Sequence, residues 1–252
     1  MIEIDDQDGI AVLRMVRGKG NALNTEFLDA LVESLDEVER SPARAMVITG
    51  EGRIFCAGVD LPAVVAGGAD YLQEFLPALT AFLRRMVLFP KPVVAAVNGH
   101  AMAGGCIGVL ACDYRVLAEG RGRLGLTELL VGVPFPTWAL EIARFAIPDR
   151  YLQEVIYTGR RYPPDEALSH GLVDEVVPAE RLLERAAEMA RGFSQVPAET
   201  FALTKQHLRT PLLQRIQQRA DRDDAEVSKI WADPAILKKI EDFVAKTVKR
   251  GT

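Results

Sequence analysis

The chain has 252 residues, with 30 basic against 35 acidic side chains, a net charge of −5, and 49% hydrophobic against 26% charged residues. That is material for one large globular core, and it excludes disorder, collagen-like repeats and a dominant coiled coil. Non-specific nucleic-acid binding depends on clustered positive charge, so the acidic balance disfavours a nucleic-acid partner.

The chain opens on Met-Ile-Glu-Ile-Asp-Asp, which is too acidic for a secretory or transit peptide. Ile10 to Val16 reads as a strand. Asn24 or Thr25 is placed to cap a helix with Phe27, Leu28, Leu31, Leu35 and Val38 on one face, and Pro42 ends that run. Arg44 to Thr49 is a compact apolar strand stopped by Gly50. Tyr71 to Leu88 is a second amphipathic helix, closed by Phe89-Pro90-Lys91-Pro92. The β-branched run Val93 to Val97 predicts a buried strand, and another apolar run, Tyr114 to Leu117, follows Cys112 and Asp113. Strands separated by helices predict an α/β core with parallel pairing.

From Trp138 onward the period is helical, with expected helices near 137–147, 149–158, 164–170, 179–194, 198–208 and 212–230. Pro234 suits the first turn of a last helix whose apolar side carries Ile236, Ile240, Phe243, Val244 and Val248. No linker separates this region from the α/β part, and a tail of this kind is expected to pack on a neighbouring subunit. The end, Lys249-Arg250-Gly251-Thr252, carries no prenylation or peroxisomal signal. Apolar stretches break before the ~20 residues of a membrane span. The expectation is a soluble, cytoplasmic protein with no membrane contact. Cys56, Cys106 and Cys112 match neither a disulfide framework nor a paired zinc-ligand spacing, so buried thiols are expected and no metal.

Two glycine-bearing turns stand out. One is Phe55-Cys56-Ala57-Gly58-Val59-Asp60-Leu61, and the other runs from Asn98 to Cys106 and leads into a helix near Gly104. Tight packing explains either alone. Together they offer two backbone N–H groups able to hold an enolate or tetrahedral oxyanion. Neither has phosphate-loop or dinucleotide spacing, and no Gly-x-Ser-x-Gly elbow is present. Glu128 is one carboxylate in the apolar stretch Leu124 to Val133. Apolar surroundings raise a carboxyl pKa toward a range useful for acid/base work, although a solvated glutamate is the plainer reading. Phe135 and Trp138 follow, either walling an acyl pocket or filling core. His100 lies inside the second turn, where packing is commoner than catalysis. His170 suits a helix C-terminus, and Asp60 and Asp113 suit bonds to backbone N–H groups.

These pieces, in order, resemble the crotonase (enoyl-CoA hydratase/isomerase) superfamily over essentially the whole chain. The matching segments are Gly20-Asn21-Ala22-Leu23-Asn24, Phe55 to Leu61, Asn98 to Cys106, Ala111-Cys112-Asp113-Tyr114-Arg115, the Glu128 stretch, and Ala167-Leu168 with Gly171 to Val177. The resemblance implies a spiral of ββα turns over residues 1–195 and a helical region over 196–252 that closes homotrimers or hexamers. It implies acyl-CoA substrates of fatty-acid β-oxidation and no cofactor beyond that thioester. It puts the thioester oxygen between the N–H groups of Val59 and Gly104, with Ala57, Gly58, Asp60 and Leu61 along the substrate path and Ala22 and Asn24 near the CoA arm. Lys19, Arg53 and the C-terminal lysines are its candidates for the CoA phosphates.

Hydratases of this family use two glutamates. One maps to Glu128 and the other to Ile107. Isoleucine cannot orient water, so the expected activity is Δ3,Δ2-enoyl-CoA isomerisation with Glu128 as the single base. The segments around Gly104, Asp113 and Pro134 to Trp138 also look more like the mitochondrial-type isomerases. The alternatives are a hydratase, a hydrolase using His100 or a lyase, and, from another class, a non-catalytic acyl-CoA-binding or RNA-binding member.

Overall fold

The structure is a computed structural model that describes residues 1–18 and 20–250, the side chains of 247–250 excepted. What the sequence leads one to expect of Lys19, of the side chains of Val248 and Lys249, and of the last two residues lies outside the described residues.

β1 (Ile2–Gln7) and β2 (Ile10–Met15) form an antiparallel hairpin. Its turn, Asp8-Gly9, has φ of 56° and 79°, the left-handed pair that a two-residue hairpin turn demands. β2 then pairs in parallel with β3 (Ala45–Gly50), which continues through β5 (Val93–Val97) and β7 (Tyr114–Ala118) to β9 (Glu175–Val177). All residues of β3 and β5 are buried, as expected for strands covered on both faces. A second sheet of three parallel strands stands beside it: β4 (Ile54–Cys56), β6 (His100–Met102) and β8 (Leu124–Gly125).

The helices in chain order begin with α1 (Thr25–Arg40), α2 (Leu61–Leu88) and α3 (Gly104–Leu110). There follow α4 (Glu128–Val131), α5 (Thr137–Ala146), α6 (Asp149–Thr158) and α7 (Pro164–Ser169). After a 3₁₀ turn at Ala179–Arg181 come α8 (Leu182–Ser194), α9 (Ala198–Trp231) and α10 (Pro234–Arg250). Asn24 caps α1, its Oδ1 accepting from the Phe27 N–H at 2.9 Å. α2 starts ten residues before the expected Tyr71. Asp60 caps it and Pro62 sits in its first turn, while Gly68, at φ 57° and ψ −144°, breaks the helix between its two parts. The two helices expected at 198–208 and 212–230 are one helix that runs through Pro211.

The C-terminal helices pack on their own chain. α9 lies against α5 and α2, α10 lies against α2 and α4, and the Trp231 indole donates to the Pro134 carbonyl at 3.0 Å. Leu212, Ile216, Trp231 and Ile240 join the same apolar cluster as Phe27, Phe75 and Leu117. The apolar faces of α9 and α10 find their partner within the chain because the core offers them an uncovered side at α2 and α5.

Candidate active site

The first turn runs from β4 into α2 and the second from β6 into α3, and β4 pairs with β6, so the two turns leave one sheet side by side. Gly58 makes this possible. Its φ is +87°, and a Cβ there would lie 2.6 Å from the Met102 carbonyl oxygen and 3.0 Å from the Ala103 Cβ. Leu23 locks the first turn in place by accepting from Asp60 N–H and donating to Gly58 O, both at 2.8 Å, in a parallel bridge with Val59. Among the described residues, neither the Val59 nor the Gly104 N–H donates to a protein acceptor. Gly104 opens α3, where helix geometry leaves its N–H without a partner.

Ala103 holds this arrangement at φ 47° and ψ −126°, a conformation that alanine rarely adopts. Such strain costs about 1–3 kcal/mol. Ala103→Gly is expected to raise the melting temperature by several degrees, since about 1 kcal/mol shifts a domain of this size by roughly 2–4 °C. Scanning calorimetry checks it, and an unchanged or lowered temperature means the strain is not there.

Glu128 opens α4 and its side chain is buried. Its Oε2 has no hydrogen-bond partner, and burial pushes the carboxyl up to about 8, opposed only by its own backbone N–H. The Cys106 thiol in the first turn of α3, pushed up to about 12 by burial and then by the Glu128 charge, shows how near α3 comes to this carboxylate.

Glu128, Val59 and Ala103 line one cavity of about 430 Å³, together with Ala57 and Leu61. Gly58 and Gly104 are not on this wall; they are the chain neighbours of Ala57, Val59 and Ala103, which are. The remaining expected site residues lie elsewhere. Asn24 is engaged as the α1 cap, and Ala22 accepts from Arg17 Nη1 at 2.6 Å. Asp60 caps α2 and pairs with Arg17 at 3.3 Å. Ile107 is fully buried in α3, within the core cluster. Phe135 and Trp138 are buried off this wall, whose apolar part includes Val131, Val133, Trp231 and Phe243. Of the candidates for the CoA phosphates, Arg53 is exposed on a neighbouring hollow that it shares with His100.

Sequence reasoning missed Met102, Arg123, Arg161 and Trp231 on the cavity wall. Met102 had no local signal, because the three-residue strand that puts it on one face with His100 shows only in its pairing with β4 and β8. Trp231 had none, because it arrives from a helix end about a hundred positions away. His170 caps α7, with Nδ1 2.8 Å from the Glu166 carbonyl, and the three cysteines are buried and unbridged, both as expected. The described residues contain no cluster suited to a metal ion and no helix long and apolar enough to cross a membrane.

A family model described as enoyl-CoA hydratase/isomerase matches residues 5–248. The chain is 29% identical over 249 residues to enoyl-CoA delta isomerase 1, mitochondrial, of Rattus norvegicus, covering 98% of this chain and 86% of that protein. Its fold is similar to the crystal structure of human mitochondrial delta3-delta2-enoyl-CoA isomerase, with a TM-score of 0.95 at 27% identity, covering 100% of this chain and 99% of that one. It is also similar to the enoyl-CoA hydratase EchA3 of Mycobacterium ulcerans, with a TM-score of 0.83 at 31% identity, over 89% of this chain and 98% of that one.

Proposed function

Because the chain belongs to the enoyl-CoA hydratase/isomerase family, we propose that it is a Δ3,Δ2-enoyl-CoA isomerase. The observation that carries this reading is that Glu128 is the one carboxylate on the cavity wall among the described residues. Addition of water benefits from two acid/base groups that hold and split the water between them. Moving a double bond within one molecule needs one group that takes a proton and returns it.

The thioester oxygen sits between the Val59 and Gly104 N–H groups. Ionised Glu128 removes a proton from C2 of the 3-enoyl thioester, and the electron pair spreads over the dienolate toward that oxygen. The protonated Glu128 then delivers the same proton to C4, giving the conjugated 2-enoyl thioester. No atom is gained or lost. The raised pKa of Glu128 makes its ionised form a stronger base than an exposed carboxylate.

The support is threefold: a buried carboxylate with a free oxygen, two unpaired N–H groups on adjoining turns, and isoleucine at the place of the family's second glutamate. As in its family, the chain is taken to assemble as a homotrimer or hexamer. The test offers purified protein a 3-enoyl-CoA and a 2-enoyl-CoA and follows the conjugated thioester absorbance. A rise with the first and little loss with the second is expected. Loss with the second alone shows that water is activated without a second glutamate. A second reading, a hydrolase using His100, rests on that imidazole lining the same cavity. Coenzyme A release that His100→Ala abolishes and Glu128→Gln spares would establish it.

A further inference from the structure

One edge of the active-site cavity is basic, and the isomerase chemistry does not use it. His100, Arg123 and Arg161 line this edge. They are close enough together that both guanidiniums, after burial, hold the His100 pKa below its usual value, so His100 is a neutral hydrogen-bonding group there. Arg123 spends one nitrogen on the Gly122 carbonyl next to it, at 2.7 Å.

Among the described residues, neither Arg123 nor Arg161 is ion-paired with a carboxylate. Some other arginines are matched, such as Arg17 with Asp60, Arg115 with Asp174 and Arg209 with Asp113, and others, such as the exposed Arg53 and Arg121, are not; what sets Arg123 and Arg161 apart is their place on the cavity wall. In a protein of net charge −5, two unmatched guanidiniums on the wall of a reaction cavity favour an anionic visitor. Guanidinium is suited to a carboxylate or phosphate, which its fork of donors meets with two parallel bonds.

The position of this edge selects between those anions. His100 and Met102 stand on one face of β6, two residues or about 7 Å apart along the strand, and Met102 adjoins the Ala103–Gly104 turn. The His100 end of the basic edge is therefore within a short acyl chain's length of the Ala103–Gly104 turn, and Arg123 and Arg161 line the same cavity. The phosphates of coenzyme A are held off from the thioester by the whole pantetheine arm, which is longer.

We propose that His100, Arg123 and Arg161 recognise a second carboxylate at the far end of a short acyl chain, so that the preferred thioesters are half-thioesters of dicarboxylic acids. The inference rests on the acyl-CoA reading of the site and not on the isomerase step.

The experiment is equilibrium binding of unreactive saturated thioesters: adipyl-CoA against hexanoyl-CoA, and the same acyl pair on pantetheine, which lacks the nucleotide phosphates. The wild-type protein is expected to bind adipyl-CoA at least tenfold more tightly than hexanoyl-CoA, and to keep that preference with the pantetheine thioesters. Arg161→Gln and Arg123→Gln are each expected to reduce the adipyl-to-hexanoyl ratio at least fivefold. The ratio is read within one variant, so a general loss of folded protein does not mimic the effect, and Arg161→Lys is expected to restore part of it. Equal wild-type affinities overturn the proposal. So do variants that weaken both CoA thioesters alike and leave both pantetheine thioesters as they were, because the edge then holds the CoA phosphates. Failure of the isomerase reading is seen separately, as absent turnover with the carboxylate preference intact.

Discussion

Glu128→Gln is expected to lower turnover of a 3-enoyl-CoA by about 10²–10⁴-fold, the range for loss of a positioned acid/base group, with acyl-CoA affinity changed no more than a few-fold. Glutamine keeps the size and polarity of the side chain, so the cavity and both turns persist while the proton carrier is lost. Steady-state kinetics beside direct binding of a saturated acyl-CoA separates the two effects, and unchanged turnover refutes the role. The wild-type rate should also rise with pH on an acid limb near 8, since the base must be ionised and burial sets its pKa at about 8.

The same shift makes a stability prediction. The folded pKa of Glu128, about 8, lies above the ordinary value of 4.5, so between these values the folded state holds a proton that the unfolded chain has released. The stabilisation is fully present below about 4.5 and is lost as pH rises through about 8. Glutamine does not titrate. The melting temperature of Glu128→Gln relative to the wild type should therefore climb from pH 5 to pH 9, and a difference that stays flat means the carboxyl is solvated.

The second large effect is on the hub that fastens α9 to the core. Asp113 accepts from the Val93 N–H at 2.8 Å, from Lys205 Nζ at 2.6 Å and from Arg209 Nη2 at 2.8 Å. Lys205 also donates to the Lys91 carbonyl at 3.1 Å, and Arg209 donates to the carbonyls of Val87 and Ala111. Both cations are buried, and burial holds the Lys205 ammonium down to about 8 even with Asp113 opposing it. Asp113→Asn keeps an acceptor for Val93 but leaves two buried positive charges with no anion. Breaking a buried pair in this way costs about 3–5 kcal/mol. That corresponds to roughly 6–20 °C in melting temperature for a domain of this size.

The pH dependence of this variant has a definite sign. A lowered lysine pKa means that the unfolded chain holds the proton longer. The penalty is therefore complete below the folded pKa and is relieved as pH rises above it. Without Asp113 the folded pKa of Lys205 falls further, so relief starts at lower pH in the variant. The stability gap between variant and wild type should narrow as pH is raised through 7 to 8. Urea unfolding at several pH values measures it, and a gap under about 1 kcal/mol at neutral pH shows the charges to be solvated.

Much of this protein is legible from local pattern. Val93 to Val97 and Phe27 to Val38 declare a buried strand and a one-sided helix, because burial on two faces or one sets their composition. Asn24, Asp60 and His170 cap helices as their residue types suggest, since a cap is a contact made within a few residues. The Asp8-Gly9 turn was equally local, and with it the hairpin of β1 was within reach. The small strands β4, β6 and β8 were not. At two or three residues each they carry no period, and they exist only because they pair with one another.

By itself the sequence determined the two glycine turns, the isolated carboxylate at Glu128 and the isoleucine at 107, because each is a matter of which residue types stand next to one another. The tertiary structure decided that Gly58 lies against Met102 and so brings the turns together. It decided that Trp231 and Phe243 reach the cavity wall and Phe135 and Trp138 do not, and that Arg123 and Arg161 share that wall with His100. Those are contacts between segments far apart along the chain. They follow from how helices and sheets pack to bury apolar area, and no local run of residues carries that information.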